Sequence, residues 1–214
     1  MTKSDTELLD YRLHNNYCQG VIYPPSATMI ISMIIINTGN GKGKTTAALG
    51  QALRSVGEGK RVLMVQFIKG PWKSGEDDAQ VIQGSPSNSS GSLPAFELAK
   101  MGKGFVGILG DKLPREEHER AAREALAYAR TEMESGKWDI VILDEVNNAV
   151  ALGLISKEDV LAFASDAKQQ LEHVILTGRD APKELIDIAD LVTEMRDVKH
   201  PYEKGVKARR GLEY

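Results

Sequence analysis

Asn37-Thr38-Gly39-Asn40-Gly41-Lys42-Gly43-Lys44-Thr45-Thr46 carries the residue types that hold a polyphosphate. Its glycines let the backbone turn sharply and aim N–H groups inward at an anion. Gly43-Lys44-Thr45 opens a helical pattern, so the positive end of a helix dipole faces the same point. In such a loop Lys44 reaches the outer phosphates and the Thr45 hydroxyl meets Mg²⁺. Asn40, Gly41, Lys42, Gly43 and Thr46 supply the rest of the cradle. Thr38 stands where the G-x-x-x-x-G-K-[ST] pattern has its first glycine. The competing reading is a glycine-rich turn with no ligand. The apolar run Met33–Ile36 directly before the loop argues against it, because phosphate loops need a strand, a turn and a helix N-terminus in that order.

A second group of chemistry-bearing residues closes the run Trp138-Asp139-Ile140-Val141-Ile142-Leu143-Asp144-Glu145. Apolar residues followed by Asp-Glu describe a buried strand with carboxylates at its tip. Beside a phosphate loop such a tip helps hold Mg²⁺, directly or through water, and Asp144 or Glu145 would do so here. Alone, the run would read as a strand that ends in surface acids. The phosphate loop makes the magnesium role the better reading.

The elements that must position these groups alternate from Met33 onward. Strands are expected over Met33–Asn37, Arg61–Phe67, Pro94–Lys100, Asp139–Asp144, His173–Gly178 and Leu191–Arg196. A helix from about Lys44 to Val56 ends at Gly57 as its cap. Another spans Pro114 to Glu134, with Ala121, Ala122, Ala125, Leu126, Ala129 and Met133 on one face and Gly136 at its end. Ser156, with Asp159 three residues on, starts a third, and a short helix lies near Pro182. Lys69–Ser92 reads as a loop whose centre, Gly84–Ser92, is a flexible surface segment. Met101–Lys112 is a glycine-rich connection. The pattern predicts an α/β fold: a doubly wound, mostly parallel sheet of about six strands with helices on both faces, P-loop NTPase-like, ligands at the carboxyl ends of the strands.

Residues 1–32 stand apart. Tyr11–Ser32 contains Asn15-Asn16, Pro24-Pro25 and no sustained period, and reads as an N-terminal extension, mobile or laid over the active site. Met29 or Met33 as the true start is the alternative. Residues 33–214 form the working domain. A chain of 214 residues is long enough to bury a real core. Its formal net charge of −3 gives no electrostatic reason for a nucleic-acid partner. A single cysteine, Cys18, cannot form an internal disulfide and fits a reducing compartment. No apolar run is long enough for a membrane span, and Met1–Asp10 is unlike a secretory signal, so the cytoplasm is the expected location.

Taken together, these segments resemble the P-loop ATP:corrinoid adenosyltransferases. The resemblance is carried by the extended loop Thr38–Ala48, Val65-Gln66-Phe67-Ile68-Lys69-Gly70, Leu143-Asp144-Glu145, Thr177-Gly178-Arg179 and the tail Val198–Gly211, and it covers about residues 33 to 214. It implies transfer of the 5′-deoxyadenosyl group of ATP to Co(I) of a corrinoid, with triphosphate leaving, in adenosylcobalamin biosynthesis or salvage. ATP, Mg²⁺ and the corrinoid would meet at the loop, with ATP lying in the reverse sense along it. Catalysis would fall to Lys44, Thr45 and Glu145, with Arg179 on phosphate or ribose. The family also makes Co(II) easier to reduce by stripping an axial ligand with apolar and aromatic side chains. Phe105, in Met101-Gly102-Lys103-Gly104-Phe105-Val106-Gly107, matches one of these aromatics, while Gly107 stands where a tryptophan belongs. Plain core packing is the alternative for Phe105. The resemblance further implies an electron-donating flavoprotein partner and leaves a homodimer open.

Other residues carry less. Arg54 on the first helix and the basic tail Lys199, Lys204, Lys207, Arg209 and Arg210 read as solvated charge, with the tail also able to meet nucleotide or an acidic electron donor. His200 sits in the tail motif, within reach of a corrinoid on the family's pattern. His14, His118 and His173 share no metal-ligand spacing. Two other functions compete: an ATPase or kinase performing ordinary phosphoryl transfer, which would need a base and an acceptor site, and a corrinoid carrier without catalysis.

Overall fold

Four strands of the sheet run apolar and end polar, and that switch decides where the site lies. The computed structural model describes residues 32–70, 72–78, 96–108, 110–201 and 205–212. The N-terminal extension, the segment Gly84–Ser92 and Lys204 of the tail lie outside the described residues. The strands are β1 (Met33–Thr38), β2 (Val62–Gln66), β3 (Phe96–Lys100), β4 (Ile140–Asp144), β5 (His173–Thr177) and β6 (Leu191–Glu194). They form one six-stranded sheet in the order β3-β2-β4-β5-β1-β6, and every pairing is parallel. The register sets Asn37 opposite Thr177 and Gln66 opposite Asp144, so the polar tips of β1, β5, β2 and β4 share the carboxyl edge. All four of these side chains are buried.

Helix α1 (Lys44–Gly57) covers one face. Ala48 and Ala52 pack there on Val62, Met64, Ile140, Ile142 and Ile175. The other face carries the larger core. There α2 (Arg115–Glu134) presents the expected alanine stripe, and α4 (Lys157–Gln170) adds Val160, Phe163, Ala164 and Ala167. The short helices α3 (Val146–Ala151) and α5 (Lys183–Ile188) complete that layer. The helix after β1 and those after β3 and β4 thus lie on opposite faces. A doubly wound sheet opens its ligand crevice at the carboxyl edge where connections part in this way.

Local boundaries follow local chemistry. Gly57 is the last helical residue of α1 rather than its cap; Gly59, at φ +79°, takes the left-handed turn that ends the helix. Gly136, at φ +67°, does the same after α2. Ser156 caps α4 as expected, accepting from the Asp159 N–H at 3.1 Å. Helix α3 has no sequence signal; it follows at once on Glu145, whose φ is +62°. Among the described residues no helix is long and apolar enough to cross a membrane.

Candidate active site

The phosphate loop leaves β1 at Thr38 and enters α1 at Lys44, between Met195–Arg196 on one side and the tip of β4 on the other. The Met195 N–H donates to the Thr38 carbonyl at 2.8 Å, and the Gly41 N–H donates to the Met195 carbonyl at 2.7 Å. A Cβ on Gly41 would fall 2.6 Å from the carbonyl carbon of Arg196, so only glycine fits there. Gly43 stands at the N-cap with φ +116°, again a glycine conformation, and has no side chain to cap the helix. The first turn of α1 holds no acidic residue, so its unpaired N–H groups meet no competing carboxylate of their own turn.

Each predicted loop residue is now placed. Asn40, Lys42 and Thr46 are exposed, Gly41 is buried, and Gly43, Lys44 and Thr45 are half-buried. The Lys44 ammonium is not turned to solvent: it donates to the carbonyls of Gly39 and Gly41, both at 2.7 Å. Burial and the neighbouring charge of Arg179 lower its pKa. The Thr46 hydroxyl donates to the Gly43 carbonyl at 3.0 Å.

Asp144 is the fixed point beneath the loop. It is fully buried and accepts from the Thr45 hydroxyl at 2.9 Å, the Thr177 hydroxyl at 2.7 Å and the Gln66 amide at 3.0 Å. Burial pushes its pKa up, while Lys69 and these donors pull it back. Glu145 comes next in the chain, in the left-handed region that a non-glycine residue enters at a cost. Its N–H donates to Thr177 Oγ1 at 2.9 Å. Burial first, then the charge of Asp144, pushes its carboxyl up to about 7, against Lys69, Lys44 and Arg179. Thr45, Asp144 and Glu145 are hard oxygen donors, the kind magnesium takes. Among the described residues no cluster of His, Cys, Asp or Glu is arranged as a complete metal cage.

Arg179 is exposed at the end of β5, and its charge acts on both Lys44 and Glu145. Its N–H donates to Asn148 Oδ1 at 2.7 Å, and Gly178 lies so close to α3 that a Cβ there would meet that oxygen at 2.6 Å. Phe105 is exposed, not packed in the core, and touches Trp72. It belongs to a separate stretch beyond β3. On the β6 side a cavity of about 430 Å³ is lined by Lys42, Leu212 and the tail residues Arg196–Pro201, which brings His200 near the loop. Arg54 is exposed, as a solvated face requires. His118 is buried against Asp111.

Sequence reasoning missed two partners. Gln66 and Thr177 stand within the motifs without a role of their own, yet each donates to Asp144; both are polar residues ending an apolar strand, a usable signal.

The model of the family described as ATP:corrinoid adenosyltransferase BtuR/CobO/CobP matches residues 31–214. The chain belongs to the ATP:corrinoid adenosyltransferase family. It is 39% identical to the corrinoid adenosyltransferase of Escherichia coli K12 over 85% of each chain. It is 38% identical to the corrinoid adenosyltransferase CobA of Salmonella typhimurium LT2, again over 85% of each chain. Among solved structures, the flagellar accessory protein FlaH of Methanocaldococcus jannaschii shares 12% identity at a TM-score of 0.44, over 77% of this chain and 70% of that one. ATP and a corrinoid are the substrates that fit the family.

Proposed function

We propose that this enzyme moves the 5′-deoxyadenosyl group of ATP onto Co(I) of a corrinoid using the cradle between the phosphate loop and the tip of β4. The observation that carries the reading is the Thr45–Asp144 contact. It joins a hydroxyl in the first turn of α1 to the buried carboxylate at the tip of β4, which supports a phosphate and magnesium site between them.

In this reaction Co(I) supplies the electron pair, the C5′–O bond breaks, and triphosphate leaves with that bond's electrons. No water or acceptor hydroxyl needs a base. The protein's task is to neutralise charge growing on the leaving group and to hold the ribose carbon in line. Lys44 would exchange its two loop carbonyls for phosphate oxygens. The N–H groups of Asn40–Thr46 would bind the chain of phosphates, and Lys42 would lie at its edge. Thr45 and Glu145 would hold Mg²⁺, with Asp144 orienting Thr45 from below. Bound Mg²⁺ would spread the triphosphate's negative charge. Arg179, exposed within the field of Lys44, would meet phosphate or ribose, and Phe105 would face the corrinoid. Residues 33–214 are the working domain in this reading, with 1–32 an extension.

The reading includes a cytoplasmic location and an electron-donating flavoprotein, for which the exposed basic residues Lys207, Arg209 and Arg210 offer charge. It also includes a homodimer, for which the exposed edge strand β6 offers surface. The test is anaerobic incubation with chemically reduced corrinoid, ATP and Mg²⁺. Loss of the Co(I) spectrum with equimolar triphosphate is expected. Release of ADP or orthophosphate instead would assign phosphoryl transfer.

A further inference from the structure

The chain leaving β2 carries a lysine past both carboxylates of the site. The Phe67 N–H donates to the Asp144 carbonyl at 3.0 Å, so this segment still runs alongside the tip of β4. On its other side it runs against the chain leaving β3. The Gly102 N–H donates to the Gln66 carbonyl at 3.1 Å and the Gly104 N–H to the Ile68 carbonyl at 2.9 Å. A Cβ on Gly102 would fall 2.7 Å from the Lys69 carbonyl oxygen, so the backbone at 69 is pressed onto bare glycine. Lys69 therefore stands on fixed backbone, between the carboxylates and the segment that carries Phe105.

The Lys69 ammonium pairs with Glu76 in the short turn Gly75–Asp78. The two side chains are only 28% and 10% exposed. Taking an ion pair out of water brings little net stability. The turn has other anchors: Asp77 accepts from the Ser74 N–H at 2.7 Å, and the Lys100 ammonium donates to Ser74 Oγ at 2.8 Å and pairs with Asp77. Anchoring the turn thus leaves the Lys69 pair without a purpose of its own. Its charge has one. Burial opposes the charge on Asp144 and on Glu145, and Asp144 adds to that at Glu145. Among the groups that favour the charge, Lys69 stands first at each carboxylate, ahead of Lys44 and Arg179 at Glu145.

We propose that Lys69 is a further catalytic residue, a cation that leaves Glu76 for the α-phosphate of bound ATP and steadies the charge that the breaking C5′–O bond leaves there. This rests on the adenosyltransferase reading, with the corrinoid on the Phe105 side. On that reading C5′ and the α-phosphate lie towards β2 and β3. Lys44 and Lys42 belong to the loop after β1, across β4 from β2. They hold the far end of the triphosphate, and Lys69 holds the end that breaks. Cobalt gives its electron pair to C5′ and passes formally from Co(I) to Co(III). The pair of the C5′–O bond stays on the α-phosphate oxygen, and triphosphate leaves. Lys69 donates hydrogen bonds to that oxygen and keeps its proton, so no base or further reductant enters the step.

The test separates the ammonium from the ion pair. Glu76→Gln keeps the ammonium and removes the pair. Lys69→Met/Glu76→Gln removes both, leaves no carboxylate unpaired, and fills the space of the lysine stem with methionine. Cobalt is supplied already as Co(I) by titanium(III) citrate, with saturating Mg²⁺. The double variant should turn over about 10²-fold more slowly than Glu76→Gln, with KM for ATP within about threefold and an equal melting temperature. Inorganic tripolyphosphate, which carries the full charge of the departed group, should inhibit the double variant about tenfold more weakly than Glu76→Gln. Turnover of the two variants within about threefold of each other, or a loss carried by KM for ATP, would overturn the role of Lys69. A wild type unable to adenosylate supplied Co(I) would sink the functional reading and this proposal with it.

Discussion

Thr45 Oγ1 donates to Asp144 Oδ1 across 2.9 Å, joining the first turn of α1 to the tip of β4 although the residues stand 99 apart in the chain. This one contact fixes the phosphate loop relative to both carboxylates. Thr45→Ala removes it and leaves a buried carboxylate short of one donor, a loss of about 1–3 kcal/mol. The expected result is a Mg²⁺ titration of turnover shifted to higher concentration and a rate at saturation down by about 10²-fold. Thr45→Ser keeps the hydroxyl and should keep most of both. A serine variant as impaired as alanine would show that the methyl group, not the hydroxyl, is what matters.

Lys44→Ala should cut the rate about 10²–10³-fold, the usual loss for one preorganised electrostatic contact. Because the ammonium also bridges Gly39 and Gly41, a small fall in melting temperature accompanies it. Near-wild-type triphosphate release at saturating ATP would remove Lys44 from the mechanism.

Gly41→Ala tests the loop's fit against the chain leaving β6. The added Cβ would collide with the Arg196 backbone at 2.6 Å, so the loop must move. ATP affinity, read by calorimetry, should weaken about tenfold or more, equal to about 1.4 kcal/mol. Gly50→Ala on α1 is the control: nothing lies within 4 Å of its Cβ, and it should stabilise by about 0.5–1 kcal/mol.

The loop, the strand ending in Asp144-Glu145 and the alternation of strands and helices were legible because each is written in contiguous residues. What joins them was not. Gln66 donates to Asp144 because β2 and β4 are adjacent and in register, a fact of sheet order rather than of local pattern. Helix α3, six residues long with Asn147-Asn148 inside it, is too short to show a period; Glu145's left-handed backbone turns the chain into it. Trp72 and Phe105 lie in irregular segments whose meeting depends on bare glycine at 102 and 104. The alternative of core packing for Phe105 fails because the side chain is 46% exposed.

Removing residues 1–28 should leave a folded, ATP-binding domain. The family match begins at residue 31 and β1 at Met33. A large drop in melting temperature would show that the extension is part of the core. A loss confined to corrinoid affinity would make it an active-site cover.

Glu145 predicts an opposition between stability and activity. Its carboxyl is held up to about 7 by burial and by Asp144, against an ordinary value of 4.5. Between those values the folded protein binds a proton that the unfolded chain does not, so this group favours folding increasingly as pH falls from above 7 towards 4.5. Above pH 7 the charge is present in both states and burying it costs stability. Glu145→Gln removes that cost. In metal-free protein the variant should gain about 2 kcal/mol at pH of about 8, seen as a melting temperature about 4–8 °C higher, and the gain should vanish near pH of about 5. The depressed carboxyls of Asp139 and Asp190, held down first by Arg61 and Lys168, act in the opposite direction and at lower pH, whereas Asp144, raised by burial, acts in the same direction as Glu145 and is relieved with it when Glu145 loses its charge. Turnover with Mg²⁺ and ATP should fall in the same variant. A gain equal at both pH values would place its origin in packing, because glutamine keeps the strained backbone at φ +62° that only Glu145→Gly would relieve.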